Sequence, residues 1–145
     1  MEIVPMSAGH LEAVAEIERV CFSSPWSRQA LAEELSNPNA VYLVAVDEGL
    51  AVGYGGMRFA AGEFYVDNIA VLPECRRRGI GRQITSALLQ EARRRGGSFL
   101  SLEVRPSNQA AIELYLRLGF LLEGRRKNFY TKPAEDALIF TRRFL

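Results

Sequence analysis

Between an apolar run ending at Val71 and a long helical pattern, the chain reads Arg76-Arg77-Arg78-Gly79-Ile80-Gly81-Arg82. Glycines let a main chain approach a ligand closely, and the first amides of a helix point outward with partial positive charge. Arginines in the same run add charge and bidentate donors for phosphate oxygens, so the heptad suits the holding of a pyrophosphate. A solvated basic loop ahead of a glycine helix start is the plainer alternative, and the residues alone leave it open. The run is not a nucleotide P-loop, since no G-x-x-x-x-G-K-[ST] is present, and the dinucleotide pattern G-x-G-x-x-G fails at its third glycine.

A second constellation is Leu102-Glu103-Val104-Arg105, followed by Asn108 and Tyr115. In a strand, Phe99, Ser101 and Glu103 share one face, which places a carboxylate at the end of an apolar run. Burial there would raise its pKa and suit it to accept a proton near neutrality, whereas a salt bridge to a neighbouring arginine is the alternative. Asn108 and Tyr115 lie seven residues apart, two helical turns, and so face the same side. Tyr115 by itself also fits ordinary core packing. Cys75 borders the arginine run, but no histidine is placed to activate it, and the sole histidine, His10, lies where a capping or surface role is expected.

These groups need elements to position them. A short strand at Glu2 to Pro5 leads to Ser7 as a helix cap and to Leu11, Val14, Ile17, Glu18 and Cys21 at helical spacing. A turn from Phe22 to Trp26 and a cap at Ser27 open a second short helix ending near Ser36, before Asn37-Pro38. Val41 to Val46, Ala51 to Phe59 and Glu63 to Val71 read as three consecutive strands, the first two joined at Asp47-Glu48-Gly49. Gly53, Gly55 and Gly56 in the middle strand suggest a bulge or a close backbone approach. A long helix spans Gly79 to Arg95, a buried strand Phe99 to Val104, and another helix runs from Ser107 or Asn108 to Leu118, with Gly119 at its left-handed end. Phe120 restarts a strand, and Ala137 to Leu145 is another. The fold class is therefore mixed α/β, with an antiparallel front half and a β-α-β-α-β back half.

The whole is 145 residues with 48% hydrophobic and 24% charged side chains, which suits one compact domain over residues 1–145 and excludes disordered and fibrous classes. A net charge of +1 removes the broad basic field expected of a nucleic-acid binder. Cys21 and Cys75 form no C-x-x-C pair and have no histidine company, so neither a disulfide framework nor a zinc site is expected. A reducing cytoplasm is the expected compartment, with no metal and no membrane segment.

The loop Arg76 to Gly81, the strand end Asn68-Ile69-Ala70-Val71 and the segment NQAAIELYLRLGF from Asn108 to Phe120 together resemble the GNAT family of acetyl-CoA-dependent N-acetyltransferases. Ser24-Pro25-Trp26-Ser27, Asp67 to Val71, Leu102 to Asn108 and, more weakly, Arg125 to Tyr130 resemble the branch of that family that acetylates the N-terminal alanine of ribosomal protein S18. The resemblance implies a mostly antiparallel twisted sheet flanked by about four helices, and acetyl-CoA as cosubstrate. It further implies that Ile69, Ala70, Val71, Arg77, Arg78, Gly79, Ile80, Gly81, Arg82 and Asn108 contact acetyl-CoA. Glu103 would be the general base and Tyr115 the general acid, with Trp26, Asn128 and Tyr130 walling the peptide site. Phe129 stands where relatives often carry Tyr, and Pro106 stiffens the turn after Arg105.

Acetyl transfer needs a neutral amine. An α-amine, with a pKa of about 7.7 to 8.0, is easier to deprotonate than lysine at about 10.4, by about 3.4 kcal/mol, which matches a single carboxylate base to an N-terminal substrate. Other peptide N-termini, lysines, small amines and a non-catalytic acyl-CoA-binding module remain alternatives.

Overall fold

The computed structural model describes every residue from Met1 to Leu145. In chain order the elements are β1 (Glu2–Pro5), α1 (Leu11–Cys21), α2 (Arg28–Leu35), β2 (Ala40–Asp47), β3 (Leu50–Ala60) and β4 (Glu63–Val71). They continue with α3 (Ile80–Arg94), β5 (Phe99–Val104), α4 (Gln109–Arg117), β6 (Leu121–Tyr130) and β7 (Glu135–Arg143). All seven strands form one sheet in the order β1-β2-β3-β4-β5-β7-β6. Every neighbouring pair is antiparallel except β4 and β5.

Period-two alternation divides the core into two layers. Tyr42 and Val44 of β2 face α1 and α2, where they meet Leu11, Val14, Ile17 and Leu31. Leu43 and Ala45 face the opposite way, onto Ile84 and Leu88 of α3. Each large aliphatic side chain fully buried between sheet and helix contributes roughly 1.5 to 3 kcal/mol.

The β3 glycines serve this packing. A Cβ at Gly55 would lie 2.6 Å from Ile84 Cγ2, and one at Gly56 would collide with the Tyr42 ring. The close approach expected there comes from the protein's own side chains. Bulges are present too: Val52 is the extra residue of β3 against β2. Asp67 is the extra residue of β4 opposite the Gly56–Met57 step.

The site is made by a break in the sheet. β4 and β5 pair over only three positions, Glu63 with Phe99, Phe64 with Leu100 and Tyr65 with Ser101. Beyond Tyr65, β4 stays bound to β3 up to Val71, whereas β5 stays bound to β7 up to Val104. The two parallel strands therefore splay apart at their carboxyl ends, and the Asp67 bulge sits just where their pairing stops, as expected of a feature that bends a strand. A gap at the carboxyl ends of parallel strands is where open α/β sheets bind ligands.

Local chemistry fixes the helix ends. Ser27 Oγ accepts from Ala30 N–H at 3.0 Å at the start of α2. His10 has the capping role expected of it: Ser7 N–H donates to its Nδ1 at 3.0 Å, closing a single 3-10 turn ahead of α1. Gly119, at φ +89°, ends α4 in a conformation that favours glycine. No helix is long and apolar enough to cross a membrane.

Candidate active site

On one side of the gap lies the end of β4. Leu72 N–H donates to Val52 O at 2.9 Å, so strand alternation turns the main-chain groups of Ile69 and Val71 away from β3 and toward the gap. Val71 O is already used, accepting from Arg76 Nε at 3.1 Å. The amides of Ile69 and Val71 face where β5 would have continued the sheet. Ala70 instead packs into the layer beneath α1.

The heptad continues this wall into α3. Arg77 and Gly79 both have left-handed backbones, at φ +65° and +76°. The first α3 hydrogen bond is Gln83 N–H to Gly79 O at 3.1 Å, so the amides of Ile80, Gly81 and Arg82 precede the helical ladder. The amides of Arg77, Arg78 and Gly79 donate to no main-chain carbonyl either. Successive unpaired amides at a helix start form an anion-binding concavity. A Cβ at Gly79 would meet nothing within 4 Å, and one at Gly81 would meet only Leu114 and Val71, at 3.7 and 3.9 Å. The space in front of the loop is thus open to a ligand.

The arginines are not equivalent. Arg78 NH2 bonds Asp47 Oδ2 at 2.6 Å, which ties the loop to the β2–β3 turn. Arg77 and Arg82 make no ion pair, and Arg82 lines a separate groove of about 540 Å³ between β1, β2 and α3. Asn108 sits at the start of α4, where its Oδ1 accepts from Ala111 N–H at 3.2 Å. Its side chain caps the helix and keeps its NH2 free of protein partners.

Across the gap, β5 carries Glu103. Leu100, Leu102 and Val104 point into the α3 layer, leaving Phe99, Ser101 and Glu103 on the other face. Glu103 is half-buried, and its Oε2 is shielded from solvent without any hydrogen bond. Arg126 NH1 lies 3.7 Å from that oxygen, near enough to attract but too far to bond. The salt bridge weighed from sequence is therefore present only as a loose ion pair. An unmet buried acceptor costs about 1 to 3 kcal/mol, so a donor brought by a substrate would be welcome there.

Tyr115 projects from α4 into the core beside Phe120, with ring centroids 5.7 Å apart. Burial pushes its phenol up to about 12, and nearby Tyr130 adds to the shift. Tyr130 is likewise pushed up to about 12, first by burial and then by the Glu103 charge. Tyr130 is thus the group near enough to feel Glu103 and to act on Tyr115. Tyr130 is held by Arg105, whose guanidinium stands 4.4 Å from the ring centroid. The same guanidinium donates to Pro133 O at 2.8 Å, Thr131 O at 3.1 Å and Glu135 Oε1 at 3.2 Å. Ser107 Oγ adds a bond to Glu135 Oε1 at 2.8 Å. This clamp on the β6–β7 turn was not assigned from sequence; the only signal for it was its place in the LEVRPSN segment.

Asn128 has φ +53°, and its N–H donates to Asp136 Oδ1 at 2.9 Å, in the irregular stretch where β6 loses register with β7. Phe129 packs edge-on against Tyr130 at 5.0 Å. Trp26 lies on the other flank. Its ring is 6.3 Å from that of Tyr42 and 5.3 Å from the Arg58 guanidinium, over β2 and β3 rather than against Glu103. The main-chain N–H of Trp26 donates to Glu18 Oε1 at 2.7 Å. Cys75 is buried and Cys21 half-buried, both as free thiols, so neither offers an exposed nucleophile.

The chain matches the acetyltransferase (GNAT) family over residues 11–120. It is 38% identical over 133 residues to the [ribosomal protein bS18]-alanine N-acetyltransferase of Escherichia coli K12, covering 89% of this chain and 88% of that one. It is 37% identical over 134 residues to the N-alpha-acetyltransferase RimI of Mycobacterium tuberculosis, covering 88% and 83%. The crystal structure of the ribosomal-protein-S18-alanine N-acetyltransferase from Escherichia coli superposes with a TM-score of 0.89 at 33% identity, over 98% of this chain and 92% of that one.

Proposed function

The chain belongs to the GNAT family of acetyltransferases, and from that premise we propose that it transfers the acetyl group of acetyl-CoA to the α-amine of a protein N-terminus, in particular the N-terminal alanine of ribosomal protein S18. The observation that carries this reading is that β5 holds Glu103 Oε2 buried without a hydrogen bond, at a sheet edge splayed away from a strand and a helix start with unpaired amides.

The residues present fit acetyl-CoA. Amides from Arg77 to Arg82 suit its pyrophosphate, with Arg77 available for charge, and the Ile69 and Val71 edge suits the amide-bearing pantetheine arm. Bound there, acetyl-CoA supplies an activated thioester carbonyl. Glu103 takes the proton of the incoming amine, directly or through water. An amide of Ile69 or Val71 stabilises the negative charge that develops on the carbonyl oxygen, an effect worth roughly 3 kcal/mol. Tyr115 keeps its proton throughout the neutral range, because burial holds its phenol up near 12, and donates it to the departing sulfur. Tyr130, Asn128 and Trp26 bound the groove for the peptide, and a ribosomal protein as substrate puts the reaction in the cytoplasm.

The test is incubation with acetyl-CoA and a peptide copying the S18 N-terminus, beside an α-blocked peptide containing lysine, with the acetyl group located by mass spectrometry. Acetylation confined to the free α-amine supports the proposal. Acetylation of lysine alone would replace its substrate class.

A further inference from the structure

Glu18 is the one charged residue on the apolar face of α1, alongside Leu11, Val14 and Ile17, and it is 0% exposed. No cation pairs with it. Its carboxylate instead collects three donors from three parts of the chain. Oε1 accepts from Trp26 N–H at 2.7 Å, in the connection between α1 and α2. Oε2 accepts from Tyr54 Oη–H of β3 at 2.6 Å and from Asn68 Nδ2 of β4 at 3.2 Å. Asn68 directly follows the Asp67 bulge and precedes Ile69, the first residue of the strand edge assigned above to acetyl-CoA.

Core stability alone does not call for this arrangement. An aliphatic side chain at position 18 with Phe at position 54 would fill the same volume without burying a charge, and such replacements are often neutral or stabilising. What an aliphatic pair could not supply is a bond to the main chain at Trp26 and another to Asn68. A carboxylate accepts from all three groups as they stand, whereas glutamine would turn an NH2 toward one side and require Tyr54 Oη or Asn68 to change from donor to acceptor.

We propose that Glu18 is a positioning residue that holds the Trp26 connection, on the peptide side of the site, in register with Asn68–Val71, on the acetyl-CoA side. The proposal rests on the acetyltransferase reading for its kinetic consequences but not for its structural one. With the carboxylate in place, the groove wall and the strand edge move as one body. Without it, the connection detaches while α3 and the Arg77–Arg82 loop, which Glu18 does not touch, keep their form.

Trp26 is the only tryptophan, so its fluorescence reads the connection directly. In Glu18→Gln the Trp26 emission shifts to the red and acrylamide quenches it more strongly, the KM for the peptide rises about tenfold or more, and the Kd for acetyl-CoA stays within about threefold of wild type. Tyr54→Phe keeps the Trp26 and Asn68 bonds and retains near-wild-type emission and KM. A folded Glu18→Gln protein with wild-type emission and peptide KM overturns the proposal, as does Tyr54→Phe reproducing the whole Glu18→Gln phenotype. Should Glu18→Gln fail to fold, Asn68→Ala decides: a raised peptide KM with unchanged acetyl-CoA affinity supports the link, and a wild-type KM overturns it. If the wild-type protein transfers no acetyl group, the acetyltransferase reading fails, and Trp26 emission in the same variants still decides whether Glu18 holds the connection.

Discussion

The Arg105 guanidinium lies 4.4 Å from the centre of the Tyr130 ring and bonds two carbonyls of the β6–β7 turn, Thr131 O and Pro133 O. One side chain just past β5 thus fixes the tyrosine at the end of β6 that the proposed function assigns to the peptide groove. Lysine cannot reproduce a planar fork that stacks on a ring and donates in several directions. Arg105→Lys is expected to raise the peptide KM by roughly five- to a hundredfold, from the loss of charge-assisted bonds, while leaving acetyl-CoA affinity near wild type. Steady-state kinetics with each substrate varied in turn checks this.

Tyr115→Phe removes a proton donor and little else, since the hydroxyl has no hydrogen-bond partner in the protein and the ring stays packed on Phe120. Turnover is expected to fall by roughly a hundredfold, within the range of general acid catalysis. Acetyl-CoA affinity, measured by calorimetry, should stay close to wild type. Equal losses in both would make Tyr115 a binding residue.

The same residue makes stability depend on alkali. In the fold its phenol is held up near 12 by burial, whereas in the unfolded chain it ionises near its ordinary value of 10. A raised acid favours the protonated folded state, so its contribution is complete below about pH 10 and is lost as pH rises from 10 toward 12. Two units correspond to about 3 kcal/mol as an order of magnitude. Urea midpoints of wild type should therefore fall more steeply above pH 10 than those of Tyr115→Phe. Parallel curves would contradict the burial of a neutral phenol.

Gly81 offers a clean probe of the proposed acetyl-CoA wall. It lies inside α3 with room for a Cβ, so Gly81→Ala is expected to keep or raise thermal stability, by up to about 1 kcal/mol from helix propensity. If the loop amides hold a pyrophosphate, the added methyl group weakens acetyl-CoA binding despite the sounder fold. Undiminished affinity would move the phosphate elsewhere.

Much of this was legible from local pattern. β4 from Glu63 to Val71 and β5 from Phe99 to Val104 have the limits that their apolar runs and flanking Gly and Pro indicate. Ser27, Asn108 and Gly119 mark helix ends as their side chains or backbone freedom require. The family branch, too, was readable from combined motifs. Pairing was not. That β4 and β5 meet over three positions and then diverge depends on β7 claiming β5 and β3 claiming β4, both long-range choices that no local window contains. The Arg105 clamp likewise spans 26 to 30 residues of chain. The β3 glycines pointed to a close approach, but only the packed α3 and β2 show that Ile84, Leu88 and Tyr42 make it. Glu18 was visible only as one of the residues at helical spacing in the first helix, because its partners come from parts of the chain up to 50 residues away.

The account turns on Glu103 as the base that frees an α-amine. An α-amine ionises near pH 7.7 to 8.0, so below about pH 8 a base must strip the ammonium proton before attack, whereas above it the substrate arrives neutral and only the proton that nitrogen loses on acylation is left to remove. The decisive measurement is kcat/KM for the S18 N-terminal peptide, in wild type and Glu103→Gln, from about pH 6.5 to about pH 9.5. The account predicts a deficit of roughly a hundredfold or more at the acid end that narrows steadily as pH passes 8. A deficit that stays constant across the whole range, or none at all, would contradict it.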